Sequence, residues 1–495
     1  MFKRIFVKDI DNWKYWLTIA IIIKVLFFIF NYTQKLPESD GNIIYAVAGD
    51  TWHYIAPIEN FIKGGGYSPD FRMPGYGAVY LLFRLILAEG AALNALVLAQ
   101  LFLASVSVYF LALSAYHIFE SKALFYGTFY AYLFSTFTSI FDIFLVPESL
   151  MTSSLIFALF YFVKGINERK VTALFLSGAL LTWCVFLKPV ALPLFGLYVF
   201  ILSFLWIKKH RFGYLKTLKA IALFLVCFLL IDGAWVIRNY KVYGKVIPLQ
   251  KRLRYADFDD DKILVNIMDF LKSWGGDFTW WDPKAEINWF GYLENSKNIR
   301  EQIGDIHLPA YIYTSKFNYS SLLKVKEYIG LSRDKNLPNS EQDKFRQLAA
   351  EELDKYTLSI RKEKPHIYYI YAPLRRLKKF LFQSGTYNLF KKTYRELNMA
   401  ELAFKLSMSM LYLFVVIGGL IGMTALFLKN YTINLKFLLA AITLYLIVIF
   451  PFVFRLCENR YLILAYPFML MCAVYSVKAS IPAVYFELLV RRNGK

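Results

Sequence analysis

Long apolar runs recur along most of this sequence and constrain its fold more than any other feature. A helix that crosses a bilayer needs roughly 20 mostly apolar residues, and ten stretches approach that length. They lie at 13–31, 91–115, 123–141, 149–164, 171–187, 190–207, 216–236, 404–428, 434–454 and 461–478. Hydrophobic residues make up 58% of the chain and charged residues only 19%. We therefore predict an all-α polytopic membrane protein.

Basic side chains between these stretches predict the orientation in the membrane. Lys and Arg concentrate in short cytoplasmic loops, and here they cluster at 164–170, 208–211 and 429–436 and at the C-terminus. The N-terminus then lies inside, whereas residues 32–90, the connection near Asp142 and the whole of 238–403 lie outside. The net charge of +21 is explained by these loops and by their contact with anionic lipid. We therefore predict membrane lipid, and not nucleic acid, as a partner.

Shorter features divide the chain further. The segments 52–63 and 74–89 are too short to span a bilayer, and we expect helices that lie in the outer interface. The stretch 171–207 is too long for one helix, and Pro189 predicts a break within it. The predicted parts are a transmembrane module over 1–237 with its first outer loop at 32–90, an extracytoplasmic subdomain over 238–403, and C-terminal transmembrane helices over 404–495.

Polar, aromatic and turn-forming side chains are dense between residues 50 and 76. A carboxylate, an imidazole, phenols and a guanidinium lie close together in this stretch, which begins soon after the first apolar run. Such groups at a bilayer surface suit the anionic head group of a lipid-linked substrate. We predict that the segment forms one wall of an active site. Its candidate residues are Asp50, His53, Tyr54, Tyr67, Arg72 and Tyr76.

Three carboxylates are candidates for the chemistry. Asp50 is the predicted general base for an acceptor hydroxyl, oriented by neighbours such as His53; the alternative is a helix N-cap, a role that Asp favours. Asp142 and Glu148 follow at the predicted outer surface, and acidic groups at membrane depth usually mark a function or a partner. The alternative for Glu148 is a favourable interaction with a helix macrodipole.

Four basic residues map to the same outer surface: Arg72, Lys188, Arg238 and Arg460. Because charges in short outer loops oppose the orientation bias, we predict that one or more of them hold a phosphate. The alternative is that they extend toward lipid head groups. His and Cys residues show no metal-ligand spacing. We therefore predict no cofactor, with a divalent metal left open.

Several short motifs accompany these residues in a fixed order. They include Asp50-x-x-x-Tyr54, Arg72-Met-Pro-Gly-Tyr76, Val146-Pro-Glu148, Leu187-Lys-Pro189, Trp235-Val-Ile-Arg-Asn-Tyr240 and Asn459-Arg-Tyr461. This order resembles the GT-C superfamily of polyprenol-dependent glycosyltransferases. It is most similar to the branch that holds protein O-mannosyltransferases and the bacterial aminoarabinose transferase of lipid A. The resemblance implies a GT-C-like bundle of about 10–12 transmembrane helices with extracytoplasmic juxtamembrane helices and a small extracytoplasmic loop region.

The resemblance also implies an activity. The family transfers a sugar, with inversion, from a polyprenyl-phosphate donor on the outer side of the membrane. For a bacterial cell membrane the implied donor is an undecaprenyl-phosphate sugar. By position, Asp50 matches the catalytic aspartate and Glu148 the second acidic residue, while Arg72 and Lys188 lie near basic positions that hold the donor phosphate. Thr51 departs from the pattern, because the family often has a second acid there, and the acceptor (glycan, lipid or protein) stays open.

Two other classes of protein remain as alternatives. One is a transporter or a flippase for a glycolipid, and the other is a polysaccharide polymerase or ligase that uses a diphosphate donor. Transporters often show two related halves or helices broken at mid-membrane, and this sequence shows neither feature. The clustering of polar groups at one predicted surface favours chemistry at an interface over passage through the membrane.

Overall fold

The architecture is helical throughout the part of the chain that the computed structural model describes, residues 9–35, 43–68, 72–208, 214–249, 262–279, 285–291, 308–429, 432–456 and 458–480. Within these residues the extended pairing is a single parallel bridge between Ala46 and Phe144. The predicted all-α fold is therefore confirmed.

The chain divides into two compact units, the first comprising residues 1–251, 382–447 and 459–495 and the second 252–381 and 448–458. Most helices belong to the first unit. These are α1 (Trp13–Lys35), α2 (Thr51–Ile62), α3 (Gly75–Arg84), α4 (Glu89–Phe119), α5 (Lys122–Leu133), α6 (Glu148–Glu168), α7 (Val171–Leu187), α8 (Leu192–Lys208) and α9 (Tyr214–Tyr243). Those of the second unit are α10 (Lys262–Trp274), α11 (Tyr319–Leu331), α12 (Asn339–Glu363) and α13 (Ala372–Leu381). The chain then forms α14 (Met399–Lys429), α15 (Leu435–Val448) and α16 (Tyr466–Ser480).

Seven helices among the described residues are long and apolar enough to cross a membrane. They are Trp13–Gln34, Glu89–Phe119, Glu148–Glu168, Pro189–Ile207, Tyr214–Tyr243, Met399–Lys429 and Leu435–Phe454. Each coincides with a predicted span. The span predicted at 171–187 is an apolar helix with the predicted bounds but is shorter than the seven. The chain is thus an integral membrane protein of the predicted polytopic class.

The predicted break in the stretch 171–207 is confirmed. Lys188 is extended (φ −152°, ψ 123°), α7 ends before it, and a short 3₁₀ turn over Pro189–Ala191 leads into α8. Proline disfavours the helical conformation of the residue before it. The break therefore places the Lys188 side chain at the end of α7.

The prediction of one spanning helix over 123–141 is wrong. α5 ends at Leu133, a one-turn helix covers Thr136–Ser139, and a 3₁₀ turn covers Ile140–Ile143. Ser and Thr hydroxyls compete for backbone and side-chain partners, and here Ser135 donates to the Tyr466 hydroxyl on α16 and Ser139 accepts from Lys24 on α1. The segment after α5 is consequently a sequence of turns that leads to Glu148.

Glycines allow the closest helix contacts in the first unit. A Cβ added at Gly422 on α14 would lie 1.9 Å from the Cys472 carbonyl oxygen on α16. One added at Gly178 on α7 would lie 1.8 Å from the Phe224 carbonyl oxygen on α9. Small residues are favoured where membrane helices approach closely. The two pairs of helices therefore pack backbone against backbone at these positions.

The second unit has a core of its own. Its first helix, α10, is amphipathic, and Ile263, Ile267, Phe270, Leu271 and Trp274 form its buried stripe. This is the spacing of one helical face. Aromatic and aliphatic side chains of α11 and α12 pack against the stripe. A 3₁₀ turn over Glu286–Phe290 and π-helical turns over Ile367–Tyr371 and Ile449–Phe454 complete this unit.

We expect Gly422→Ala to lower the melting temperature of the purified protein, because a methyl group forced against a backbone carbonyl costs about 1–3 kcal/mol. The matched control is Gly196→Ala on α8, where an added Cβ meets nothing within 4 Å. Alanine favours a helix over glycine, so the control should melt at or above the wild type. A Gly422→Ala protein as stable as the control would contradict the close α14–α16 packing.

Candidate active site

Five charged side chains from five separate segments meet in the first unit, and we refer to them as the charge cluster. Asp50 immediately precedes α2 and Arg72 precedes α3. Glu148 is the first residue of α6, and Lys188 follows the last residue of α7. Arg460 lies in the 3₁₀ turn before α16. α6 and α7 are antiparallel neighbours, so the start of one and the end of the other lie side by side.

Asp50 is held between two arginines. Its Oδ1 lies 2.9 Å from Arg72 Nη2, and its Oδ2 lies 2.9 Å from Arg460 Nη1. Asp50 occupies the N-cap position of α2, as the alternative interpretation expected, but its side chain makes no capping hydrogen bond. Both carboxylate oxygens are instead engaged by guanidinium groups from distant parts of the chain.

Glu148 pairs with the third cation. Lys188 Nζ lies 2.7 Å from Glu148 Oε1, and Arg460 Nε lies 3.9 Å from the same oxygen. The Glu148 side chain is 1% exposed, and its Oε2 has no hydrogen-bond partner among the described residues. The charge cluster therefore contains three cations and two carboxylates, an excess of positive charge that would favour an anionic ligand.

Two tyrosines lie against the cations. The Arg72 guanidinium is 5.1 Å from the centre of the Tyr54 ring. Lys188 Nζ and the Arg460 guanidinium are 4.6 Å and 4.9 Å from the Tyr461 ring. These distances are within the range of cation–π attraction. Arg72, Lys188 and Arg460 are thus each held by a carboxylate and an aromatic ring of the first unit.

The cations keep Asp50 ionised. Burial opposes ionisation of the Asp50 carboxyl, but the charges of Arg460, Arg72 and Lys188 outweigh burial and hold its pKa below the usual value. The opposite charge favours the ionised form of a carboxyl group. In this arrangement Asp50 is a weak proton acceptor at neutral pH.

A short parallel bridge fixes Asp50 relative to the segment that leads to Glu148. Ala46 N donates to the Ile143 carbonyl oxygen at 2.9 Å, and Leu145 N donates to the Ala46 carbonyl oxygen at 3.0 Å. The buried Thr51 hydroxyl donates to the Leu145 carbonyl oxygen at 2.9 Å. The Thr51 side chain therefore links the start of α2 to this segment, a role that the sequence did not indicate.

Two further predicted residues lie beside the cluster but bond elsewhere. Tyr76 is fully buried on α3 and donates its hydroxyl to Gln100 Oε1 at 2.6 Å, while its ring packs on Tyr54 at 5.4 Å. Asp142 bonds to Lys24 and Ser149. Neither makes an ion pair with a cation of the cluster. His53 is half-buried on α2, next to Tyr54.

Tyr67 and Arg238 form a separate group. The Arg238 guanidinium donates to the Tyr67 carbonyl oxygen. It also lies 5.6 Å, 5.0 Å and 5.5 Å from the rings of Tyr67, Trp235 and Tyr243. These residues join the start of the segment 67–76 to the end of α9.

An apolar cavity of about 390 Å³ lies between α3, α7 and α9. Pro74 and Phe186 are in its wall, two residues from Arg72 and Lys188 respectively, and Trp235 lines it on α9. It therefore adjoins the chain segments that carry two cations of the charge cluster. Within the described residues, no three or more His, Cys, Asp or Glu side chains are grouped as metal ligands.

No protein-family model matches the sequence, and no curated protein matches it. Among solved structures, the chain is similar to the archaeal oligosaccharyltransferase AglB from Archaeoglobus fulgidus in complex with an inhibitory peptide and a dolichol-phosphate (TM-score 0.47, 13% identity, 98% of this chain, 51% of that chain). It is also similar to the Archaeoglobus fulgidus oligosaccharyltransferase tethered to an acceptor peptide (TM-score 0.47, 12% identity, 97% and 50%). The chain spans about half the length of these proteins. At these identities and TM-scores the similarity assigns neither a family nor a reaction to this chain.

The ion pairs of Asp50 give a pH-dependent contribution to stability. Because the folded pKa of Asp50 is lowered, this contribution is present above the unfolded value of about 4 and is lost as the pH falls through the folded pKa. We expect the wild type to melt above Asp50→Asn at pH 7 and the difference to shrink below about pH 4. The control is Asp269→Asn, where the carboxylate is 54% exposed. A difference between wild type and Asp50→Asn that does not change with pH would contradict the ion pairing.

Proposed function

We propose that the chain is a membrane glycosyltransferase that moves a sugar from a polyprenyl-phosphate donor to an acceptor hydroxyl on the extracytoplasmic side, with inversion at the anomeric carbon. The observation that carries the proposal is the charge cluster, in which three cations surround two carboxylates beside an apolar cavity. A phosphorylated lipid is anionic at one end and apolar at the other. The cations of the charge cluster suit the anionic end of such a lipid, and the apolar cavity suits its hydrocarbon end.

We propose that the donor phosphate binds to Arg72, Lys188 and Arg460. Guanidinium groups bind phosphate through paired, charge-assisted hydrogen bonds, and lysine contributes a point charge. The part of the polyprenyl chain nearest the phosphate then lies in the apolar cavity. Glu148 remains paired with Lys188 and holds this cation in place, so we assign it an orienting role rather than that of the base.

Binding of the donor also activates Asp50 in the proposal. With both arginines engaged, the lowered pKa of Asp50 makes it a poor base. When the phosphate takes over hydrogen bonds of Arg72 and Arg460, the carboxylate of Asp50 loses part of their stabilisation and its pKa rises. A carboxylate oxygen then becomes available to the acceptor hydroxyl, and a base with a higher pKa accepts its proton more effectively.

The transfer step follows from these positions. The acceptor oxygen forms a bond to the anomeric carbon of the sugar while the bond from that carbon to the phosphate oxygen breaks. The polyprenyl phosphate departs with the electron pair, and the hydroxyl proton passes to Asp50. The three cations stabilise the charge that grows on the phosphate, which is electrostatic catalysis by preorganised groups.

The location of the cluster supports an enzyme over a transporter. Glu148 is the first residue of α6, and Lys188 comes directly after the last residue of α7. Because α6 and α7 are antiparallel, both residues lie at the same end of this helix pair. A transport path needs polar groups at successive depths of the bundle. A polymerase or ligase stays a competing enzyme class and differs in its donor, which is a diphosphate.

The direct test is donor cleavage by the purified protein in lipid nanodiscs. Undecaprenyl-phosphate sugars are supplied with a mixture of glycan, lipid and peptide acceptors, and release of free undecaprenyl phosphate is measured. We expect release from at least one monophosphate donor. Release from diphosphate donors alone would replace the proposal with the polymerase or ligase alternative, and no release from either type would reject glycosyl transfer.

We expect Asp50→Asn to reduce turnover about 10²–10⁴-fold, the usual contribution of a general base. Initial rates of undecaprenyl phosphate release at saturating donor provide the measurement. The matched control is again Asp269→Asn, which removes an exposed carboxylate in the second unit. Turnover of the Asp50 variant close to the wild type would remove Asp50 from the role of base.

We expect Lys188→Met to weaken binding of undecaprenyl phosphate roughly 10-fold or more, because a hydrogen bond to a charged group contributes about 1.5–3 kcal/mol. Arg238→Met should change the affinity little, since Arg238 is engaged by Tyr67 and three aromatic rings rather than by the charge cluster. Tryptophan fluorescence or calorimetry in nanodiscs gives both affinities. The reverse order of effects would move the phosphate site from the charge cluster to the end of α9.

A further inference from the structure

A buried ion pair lies next to the charge cluster and has no part in the transfer step above. Lys24 is in the middle of α1 and is 1% exposed, and its Nζ lies 3.2 Å from Asp142 Oδ2. The same Nζ donates to Ser139 Oγ at 2.8 Å. A charge within a membrane helix is costly and is rare without a partner or a function. The pair therefore needs an explanation beyond packing.

The second oxygen of Asp142 connects the pair to Glu148. Ser149, the residue after Glu148, donates its hydroxyl to Asp142 Oδ1 at 2.7 Å. Both Ser149 and Asp142 are buried. A continuous set of hydrogen bonds thus joins α1, the 3₁₀ turn over Ile140–Ile143 and the first turn of α6.

The segment 139–149 is also held by two amides. Asn31 Nδ2 on α1 donates to the Ser139 carbonyl oxygen at 3.2 Å. Gln100 Nε2 on α4 donates to the carbonyl oxygens of Phe144 at 3.0 Å and Asp142 at 3.4 Å. The middle of the segment forms the bridge to Ala46 that leads to Asp50. The segment therefore carries Glu148 itself and contacts the chain just before Asp50.

We propose that Lys24 and Asp142 are positioning residues: their buried pair fixes the segment 139–149 and thereby sets the placement of Asp50 relative to Glu148. This inference rests on the proposed function, and it gives Asp142 a role that acts through Ser149 and the bridge at Ala46 instead of through the substrate. Misplacement of reacting groups by about 1 Å can reduce a rate about 100-fold.

The test separates positioning from stability with a double variant. Lys24→Met or Asp142→Leu alone would leave an unpaired buried charge, whereas the double variant K24M/D142L leaves none, and such apolar replacements often preserve stability. We expect K24M/D142L to melt close to the wild type and to keep the donor KM within about threefold, with kcat at least about tenfold lower. The variant K24Q/D142N, which keeps neutral hydrogen bonds, should recover part of kcat.

The control for the same assay is Lys170→Met. It removes an exposed ion pair with Glu168, 2.7 Å long, at the other end of α6, and should leave kcat unchanged. A K24M/D142L protein with the kcat of the wild type would overturn the inference. So would a loss of kcat accompanied by an equal rise in KM and a lower melting temperature, because that pattern indicates general destabilisation.

A second measurement does not depend on activity. Ala46→Cys and Phe144→Cys place two thiols on the parallel bridge, in a chain whose native cysteines (Cys184, Cys227, Cys457 and Cys472) are replaced by alanine. A disulfide forms only when the two backbones hold a narrow range of separations. We expect rapid oxidation in the parent and several-fold slower oxidation with K24M/D142L. An equal rate in both would overturn the inference, whereas slower oxidation without donor cleavage in the wild type would reject the proposed function and leave the positioning role intact.

Discussion

The pairing of Asp50 with Arg72 and Arg460 is the interaction on which the candidate site depends. Each arginine lies 2.9 Å from a different oxygen of the same carboxylate, so one side chain joins the start of α2, the start of α3 and the turn before α16. Ion pairs of this kind are stronger in a partly desolvated site than in water. They bring together parts of the sequence from both ends of the chain.

The charge cluster and the Lys24–Asp142 pair, both in the first unit, differ in how far their side chains are exposed to solvent. In the charge cluster, the side chains of Asp50, Arg72 and Arg460 are 24%, 20% and 19% exposed. Lys24 and Asp142 are 1% and 5% exposed. A partly exposed ion pair can exchange partners with an incoming anion, whereas a fully buried pair is held because removal of one partner leaves an uncompensated charge. We therefore assign the charge cluster to the ligand and the Lys24–Asp142 pair to the scaffold.

The sequence predicted what depends on local composition. Apolar length identified the spans, and Pro189 identified the break that places Lys188. The partners of Asp50 were not predictable, because Arg460 is far away in the sequence and its approach depends on how α16 packs. Lys24 gave no signal beyond one lysine in an apolar run. The turns after α5 were missed because Ser135 and Ser139 find partners on other helices, which apolar counting does not register.

A structure of the protein with undecaprenyl phosphate tests the central claim most directly. We expect the phosphate within hydrogen-bond distance of Arg72, Lys188 and Arg460, with at least one of the two Asp50 ion pairs broken and the first isoprene units in the apolar cavity. A phosphate bound elsewhere, for example beside Arg238, with both ion pairs of Asp50 intact, would contradict it.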